Sequence, residues 1–91
     1  MILARIIGTI WATRKEASLE GAKLQIVRPV ELDYQEKSGF LVAVDAVGAG
    51  VGEIVLVCQG SSARQTELTT QKPVDATIMA IVDKLDVTEK T

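Results

Sequence analysis

The sequence predicts a mainly β fold, a small five-stranded barrel with one short α-helix, in a single domain over residues 1–91. Apolar residues make up 47% of the chain and are mostly aliphatic, because Trp, Tyr and Phe occur once each. The branched side chains of Val and Ile favour a pleated sheet. Five apolar segments are separated by glycine, proline or polar residues, as strands are. Barrel closure would remove the exposed edges of such strands.

The first predicted strand covers residues 2–13, where the side chains alternate between two faces. One face carries a row of small to medium apolar side chains. The other face carries Leu3, Ile7 and Trp11, so it is also partly apolar. An antiparallel sheet usually leaves one face to solvent. A strand with two apolar faces therefore indicates a contact beyond the barrel interior.

Four further strands and one helix follow in the predicted order. Ser62, with Gln65 three residues later, fits a capping box and predicts a short α-helix after the fourth strand. Segments 54–58 and 78–82 are apolar on both faces, which indicates that a second copy covers their outer side. The tail, residues 88–91, is expected to fray. The four strands are predicted at residues 23–28, 40–45, 54–58 and 77–83.

Composition excludes several classes of function. A net charge of −2 and three aromatic residues argue against nucleic-acid binding, which needs a basic groove and stacking side chains. The absence of His removes Cys/His metal sites and the commonest general base. The single Cys58 excludes an internal disulfide and suits a reducing cytoplasm. No apolar stretch approaches the ~20 residues of a membrane helix. We therefore expect a cytoplasmic protein without cofactor, metal, catalysis or membrane contact.

Three candidate sites have simpler structural interpretations. Residues 48–52 are similar to the start of a phosphate loop, but they lead into a strand rather than a helix, so a turn with positive φ is favoured. Ser61 and Ser62 lie near Arg64 without a base, and helix capping is favoured there. Arg64 could instead pair with a carboxylate across a subunit boundary. Turn capping, rather than acid–base or metal chemistry, is favoured for Asp45, Asp75 and Asp83.

Five blocks of the sequence together resemble the EutN/CcmL family, the vertex proteins of bacterial microcompartment shells. The most distinctive block is residues 43–53, which contains Gly48, Ala49 and Gly50. The resemblance implies an OB-like barrel assembled as a homopentamer. Such pentamers cap the fivefold vertices of a carboxysome or metabolosome shell whose facets are hexameric shell proteins. The blocks are residues 4–10 with 12–15, 19–21 with 23–29, 43–53, 55–57 with 60–65, and 73–76 with 79–83.

Two groups of residues become candidates for assembly. The predicted subunit interface comprises Leu3, Ile7, Trp11, Val55, Val57 and Arg64. The predicted pore or shell-contact residues are Gly48, Ala49, Gly50, Ser61 and Ser62. Two alternatives stay open at this point. One is a monomeric OB-like barrel that binds a small metabolite or single-stranded nucleic acid. The other is an enzyme with paired carboxylates, which the missing His disfavours.

Overall fold

A computed structural model describes residues 1–13 and 15–89 as a closed five-stranded barrel. The barrel order is β1-β2-β3-β5-β4, which confirms the predicted architecture. Arg14, part of the first family-like block, and Lys90 and Thr91, part of the tail expected to fray, lie outside the described residues. The strands are β1 (Ile2–Ile10), β2 (Leu24–Pro29), β3 (Leu41–Asp45), β4 (Ile54–Gln59) and β5 (Ala76–Ile81).

Strand β1 joins the two halves of the barrel. It pairs antiparallel with β2 on one side and with β4 on the other, where Ile2 lies opposite Val57. Strands β2–β3 and β4–β5 are also antiparallel. Only β3 and β5 run parallel, and their register contains just two residue pairs, Val44 with Thr77 and Asp45 with Ile78. The β3–β5 seam is therefore the shortest in the barrel.

The barrel interior is filled by small and branched aliphatic side chains. On β1, Ala4 and Ile6 of the row of small to medium apolar side chains are completely buried. A register shift between Ile6 and Gly8 then interrupts the alternation, and the remainder of the row is not buried. Full burial of a Val or Ile side chain contributes roughly 1.5–3 kcal/mol, so the interior dominates the stability of the single subunit. The other fully buried aliphatic side chains include Val27, Val55, Val57 and Ile78.

The predicted α-helix is wrong. The segment Gly60–Arg64 forms a 3₁₀ helix, and no α-helix occurs in residues 1–13 or 15–89. Ser62 lies inside this 3₁₀ helix, while Gln59 occupies the N-cap without a side-chain cap bond. Tertiary bonds hold the short turn instead, because Thr77 Oγ1 donates to the carbonyl of Ala63 at 2.6 Å. A second 3₁₀ helix covers Ala17–Leu19. Neither helix is long and apolar enough to cross a membrane.

Candidate functional site

The first candidate surface is the outer side of β1 and β4. Because Ala4 and Ile6 point inward, the alternation of β1 places Leu3, Arg5 and Ile7 on the outside. Across the β1–β4 ladder, Leu3 lies opposite Leu56 and Arg5 lies opposite Ile54. All these side chains are only half-buried in the single subunit. We call this surface the outer β1–β4 face, defined by Leu3, Arg5, Ile7, Ile54 and Leu56.

Trp11 follows the end of β1 that pairs with β2, and it is 89% exposed. The predicted first strand is too long, since β1 ends at Ile10 and Trp11 lies just beyond it. A core position for Trp11 is therefore excluded. Large aromatic side chains carry much of the energy of protein interfaces and usually keep their rings out of water. The predicted place of Trp11 in a subunit interface stays a prediction.

The prediction that Val55 and Val57 belong to the subunit interface is wrong. Both side chains are 0% exposed and belong to the barrel core, so they offer no surface to a partner. The same strand turns Ile54 and Leu56 outward, where they are half-buried. In the interface hypothesis, Ile54 and Leu56 therefore replace Val55 and Val57.

The second candidate surface is the turn formed by residues 48–52, which Asp45 organises. Asp45 is only 6% exposed, and its carboxylate accepts from the backbone N–H groups of Val47, Gly48 and Ala49, each at 2.9 Å. The predicted turn-capping role of Asp45 is thus confirmed. Lys23 Nζ lies 4.0 Å from Asp45 Oδ2 and adds a weak ion pair at the rim.

Gln25 completes the network beneath this turn and was missed by the sequence analysis. It is fully buried on β2, and its Nε2 donates to the carbonyl of Ala49 at 2.9 Å and to Asp45 Oδ2 at 3.4 Å. Thr9 Oγ1 donates to Gln25 Oε1 at 2.7 Å. Both ends of the amide are therefore satisfied, as a buried polar group requires. The available signal was a polar residue in phase with inward-facing Val27.

The 48–52 turn is fixed in shape but has an apolar tip. Gly48 and Gly52 have φ values of 78° and 94°, which confirms the predicted positive-φ turn. Glu53 Oε1 accepts from the N–H of Gly50 at 2.6 Å. Ala49 is 1% exposed and packs in the barrel core, so its predicted place among the pore or shell-contact residues is wrong. Val51 at the tip is 63% exposed. The turn is therefore a preorganised protrusion whose contact with another molecule would cost little ordering entropy.

The Ser61–Arg64 region shows no catalytic arrangement among the described residues. Ser61 and Ser62 are exposed within the 3₁₀ helix. Arg64 Nη1 donates to the carbonyl of Val74 at 2.9 Å and makes no ion pair within the described part of the chain. Its pairing across a subunit boundary stays a prediction. Cys58 is buried near the end of β4, where it packs as a small hydrophobic side chain.

Among the carboxylates, Glu16 is held as the anion by its neighbour Ser18. The hydroxyl and the backbone N–H of Ser18 both donate to the Glu16 carboxylate and hold its pKa below the ordinary value, with a smaller contribution from the charge of Lys72. A carboxylate stabilised as the anion is a poor proton donor. No group of three or more His, Cys, Asp and Glu side chains in residues 1–13 and 15–89 could hold a metal ion.

The chain is similar over nearly its whole length to a known protein family. Residues 1–83 match the family described as "Ethanolamine utilisation protein EutN/carboxysome". The carboxysome shell vertex protein CcmL of Synechococcus elongatus is 40% identical over 91 residues, 100% of this chain and 92% of that protein. The bacterial microcompartment shell vertex protein PduN of Salmonella typhimurium is 47% identical over 89 residues, 93% of this chain and 98% of that protein.

A solved structure shares the fold. The GrpN pentameric microcompartment shell protein from Rhodospirillum rubrum superposes with a TM-score of 0.87 at 41% identity. The match covers 96% of this chain and 99% of the GrpN chain. Because the match covers nearly all of both chains, the two proteins share the same barrel fold.

Proposed function

Because the chain belongs to the EutN/CcmL family, whose relatives are shell vertex proteins of bacterial microcompartments, we infer that its pentamers cap the fivefold vertices of such a shell. The protein is a structural shell component and associates with copies of itself. The observation that carries this function is the match of almost the entire chain to the pentameric GrpN shell protein. In this proposal, each barrel contributes its shape and its contact surfaces to the pentamer.

The geometry of a closed shell explains why a pentamer is needed. A flat hexagonal lattice encloses no volume unless fivefold positions interrupt it. A ring of identical subunits forms when a head-to-tail contact closes on itself. We propose that hexameric shell proteins surround this ring and are its second partner. The shell lies in the cytoplasm, and the protein needs no cofactor, catalyses no reaction and contacts neither nucleic acid nor membrane. The negative net charge and the lack of His support these proposals.

The subunit interface uses the outer β1–β4 face together with Trp11. Leu3 and Ile7 supply half-buried aliphatic surface, and Trp11 supplies an aromatic side chain that the single subunit leaves 89% exposed. Burying such surface is the main favourable contribution to association. Arg64 belongs to the same subunit boundary in this proposal, with its free guanidinium N–H groups available to a neighbouring carboxylate.

The loops supply the contacts at the ring axis or with the hexamers. Gly48 and Gly50 lie in a turn held by Asp45, and Ser61 and Ser62 are exposed in the 3₁₀ helix Gly60–Arg64. A rigid turn with an exposed apolar tip suits a repeated contact of fixed geometry. These residues form the pore or shell-contact surface of the proposed pentamer.

Trp11→Asp tests the pentamer and its interface. We expect native mass spectrometry and light scattering to find a pentamer for the wild type and monomers or aggregates for Trp11→Asp. The substitution removes an aromatic anchor of about 2 kcal/mol or more and places a charge in an apolar contact. Trp11→Phe is the matched control and should keep the pentamer, because it retains an aromatic ring.

Two results would contradict the proposal at different levels. A pentameric Trp11→Asp variant would remove Trp11 from the interface and leave the vertex function standing. A wild type that stays monomeric at micromolar concentration would contradict the vertex function and favour the monomeric ligand-binding barrel.

A further inference from the structure

The segment that follows β3 and enters the 48–52 turn has few hydrogen bonds to the rest of the barrel. Asp45 acts on it locally, since the N–H groups that its carboxylate accepts lie only two to four residues further along the chain. Among the described residues, three hydrogen bonds join residues 46–50 to segments other than β3. They run from the N–H of Ala46 to the carbonyl of Ile78 at 3.4 Å, from Lys23 Nζ to the carbonyl of Ala49 at 3.3 Å, and from Gln25 Nε2 to the same carbonyl at 2.9 Å.

The bond from Gln25 is the strongest of these three. It is the shortest, and the Gln25 side chain is fully buried, where a hydrogen bond is stronger than in water. The Lys23 side chain is 50% exposed, so its contacts with Ala49 and Asp45 are weakened by solvent. Gln25 Nε2 also lies 3.4 Å from Asp45 Oδ2. The main polar attachment of the turn to β2 is therefore the Gln25 amide.

The other end of this amide is attached to β1. Thr9 lies opposite Gln25 in the β1–β2 register, and its Oγ1 donates to Gln25 Oε1 at 2.7 Å. Directly opposite residues of an antiparallel pair share one face of the sheet. The register shift of β1 therefore brings Thr9 to the same side as buried Gln25. The orientation of the amide is also fixed, because the Ala49 carbonyl and the Asp45 carboxylate only accept hydrogen bonds and must face its nitrogen.

We propose that Gln25 is a positioning residue, which fixes the 48–52 turn relative to β1 and β2 so that the turn has one position in every copy of the ring. This inference rests on the proposed function for what the turn contacts, and on hydrogen bonds within one chain for how the turn is held. Asp45 shapes the turn, whereas Gln25 determines where the turn lies on the barrel. A turn that is already fixed loses less entropy when it contacts another molecule.

Hydrogen exchange at the turn tests this role. Gln25→Leu replaces the amide with an apolar side chain and removes its bonds to both Thr9 and Ala49. Hydrogen-exchange mass spectrometry measures the protection of peptides that cover residues 46–50. We expect this protection to fall at least about tenfold, because the buried carbonyl of Ala49 loses its best donor. Peptides from β4 should change much less.

Thr77→Val is the matched control. Thr77 is also a fully buried polar residue, but its hydroxyl donates to the carbonyl of Ala63 in the 3₁₀ helix Gly60–Arg64. Its substitution should reduce protection around that helix and leave residues 46–50 unchanged. A general loosening of the barrel would instead affect both regions in both variants.

Gln25→Glu adds a pH profile, which a side chain that only fills space would not change. The protonated carboxyl has the shape of the amide and can donate to Ala49, whereas the ionised carboxylate has no donor. Burial and the charge of Asp45 should raise the pKa of the introduced carboxyl, and Lys23, the other charged group nearby, opposes this rise. The bond is thus present below this pKa and lost above it. Protection of residues 46–50 should fall about tenfold between about pH 5 and about pH 8 in the variant and stay constant in the wild type.

The outcomes separate this inference from the proposed function. A wild type that forms no ring contradicts the proposed function, and exchange at the turn still decides the role of Gln25. A Gln25→Leu variant with unchanged protection at residues 46–50, or with an equal loss throughout the barrel, overturns the positioning role alone. Circular dichroism checks that each variant keeps its sheet. Where Gln25→Leu does not fold, Gln25→Glu decides, since the same pH profile as in the wild type overturns the role.

Discussion

Asp45 is a charged side chain almost closed off from water, yet its burial is compensated. It receives three backbone N–H groups of the turn that follows β3, and Gln25 approaches from below. Hydrogen bonds to a carboxylate are stronger than those between neutral groups. The turn would otherwise leave these N–H groups without partners. One side chain therefore converts a glycine-rich segment into a fixed element of the surface.

Asp45→Ala should lower the free energy of unfolding by about 1–3 kcal/mol, because it leaves buried N–H groups unsatisfied. Urea unfolding followed by circular dichroism measures this loss. All variants are compared at one protein concentration, since association contributes to stability. Asp83→Ala removes an exposed carboxylate and should change stability by less than about 0.5 kcal/mol. Equal effects of the two substitutions would contradict the role of Asp45 as an internal cap.

At the scale of elements, periodicity predicted the strands well because it reflects burial directly. Ala4 and Ile6 of β1 were assigned correctly, since Arg5 between them marks the other face. Beyond Ile6 a register shift changes the alternation, so Thr9 lies opposite buried Gln25, and simple periodicity gave no sign of this shift. In β4 no polar residue interrupts Ile54–Cys58, so the sequence did not show which face points inward, and Val55 and Val57 were misassigned. The α-helix was wrong because the bond from Thr77 to Ala63 joins segments distant in sequence. A capping motif contains no information about such a contact.

The turn between β3 and β4 depends on glycine at particular positions. Gly48→Ala should lower the free energy of unfolding by roughly 1–2 kcal/mol, because a side chain at positive φ is strained. A Cβ at Gly48 would meet no atom within 4 Å, so the loss is conformational. Gly50→Ala is the matched control, since no positive φ applies and its Cβ would lie 3.5 Å from Glu53 Oε1. Thermal unfolding of both variants checks the difference, and an equal loss would refute a conformational origin.

For the whole molecule, the balance between size and exposed apolar surface favours assembly. A chain of 91 residues buries only roughly 60–65% of its unfolded surface as a single subunit. Trp11, Phe40 and Val51 are all more than half exposed. Composition alone indicated this excess of apolar surface. The geometry of the partner surface could not be read from the sequence, because contacts between copies leave no periodic pattern in one chain.

Association should therefore be visible in the thermal stability. The midpoint of thermal unfolding of the wild type should rise with protein concentration, because binding between native copies stabilises the folded state by mass action. Differential scanning calorimetry over a hundredfold concentration series measures the rise. The same series on Trp11→Asp should be nearly flat. A flat series for the wild type would mean that folding and association are not coupled.

The position of β1 in the barrel has a consequence for biosynthesis. Its β4 partner is translated only in the second half of the chain, and β5, which closes the barrel against β3, comes later still. After its synthesis, β1 therefore has one edge unpaired until β4 is made, and pairings between distant segments form slowly. Oligomer formation can begin only after synthesis of the barrel is complete, and until then the nascent chain is exposed to aggregation.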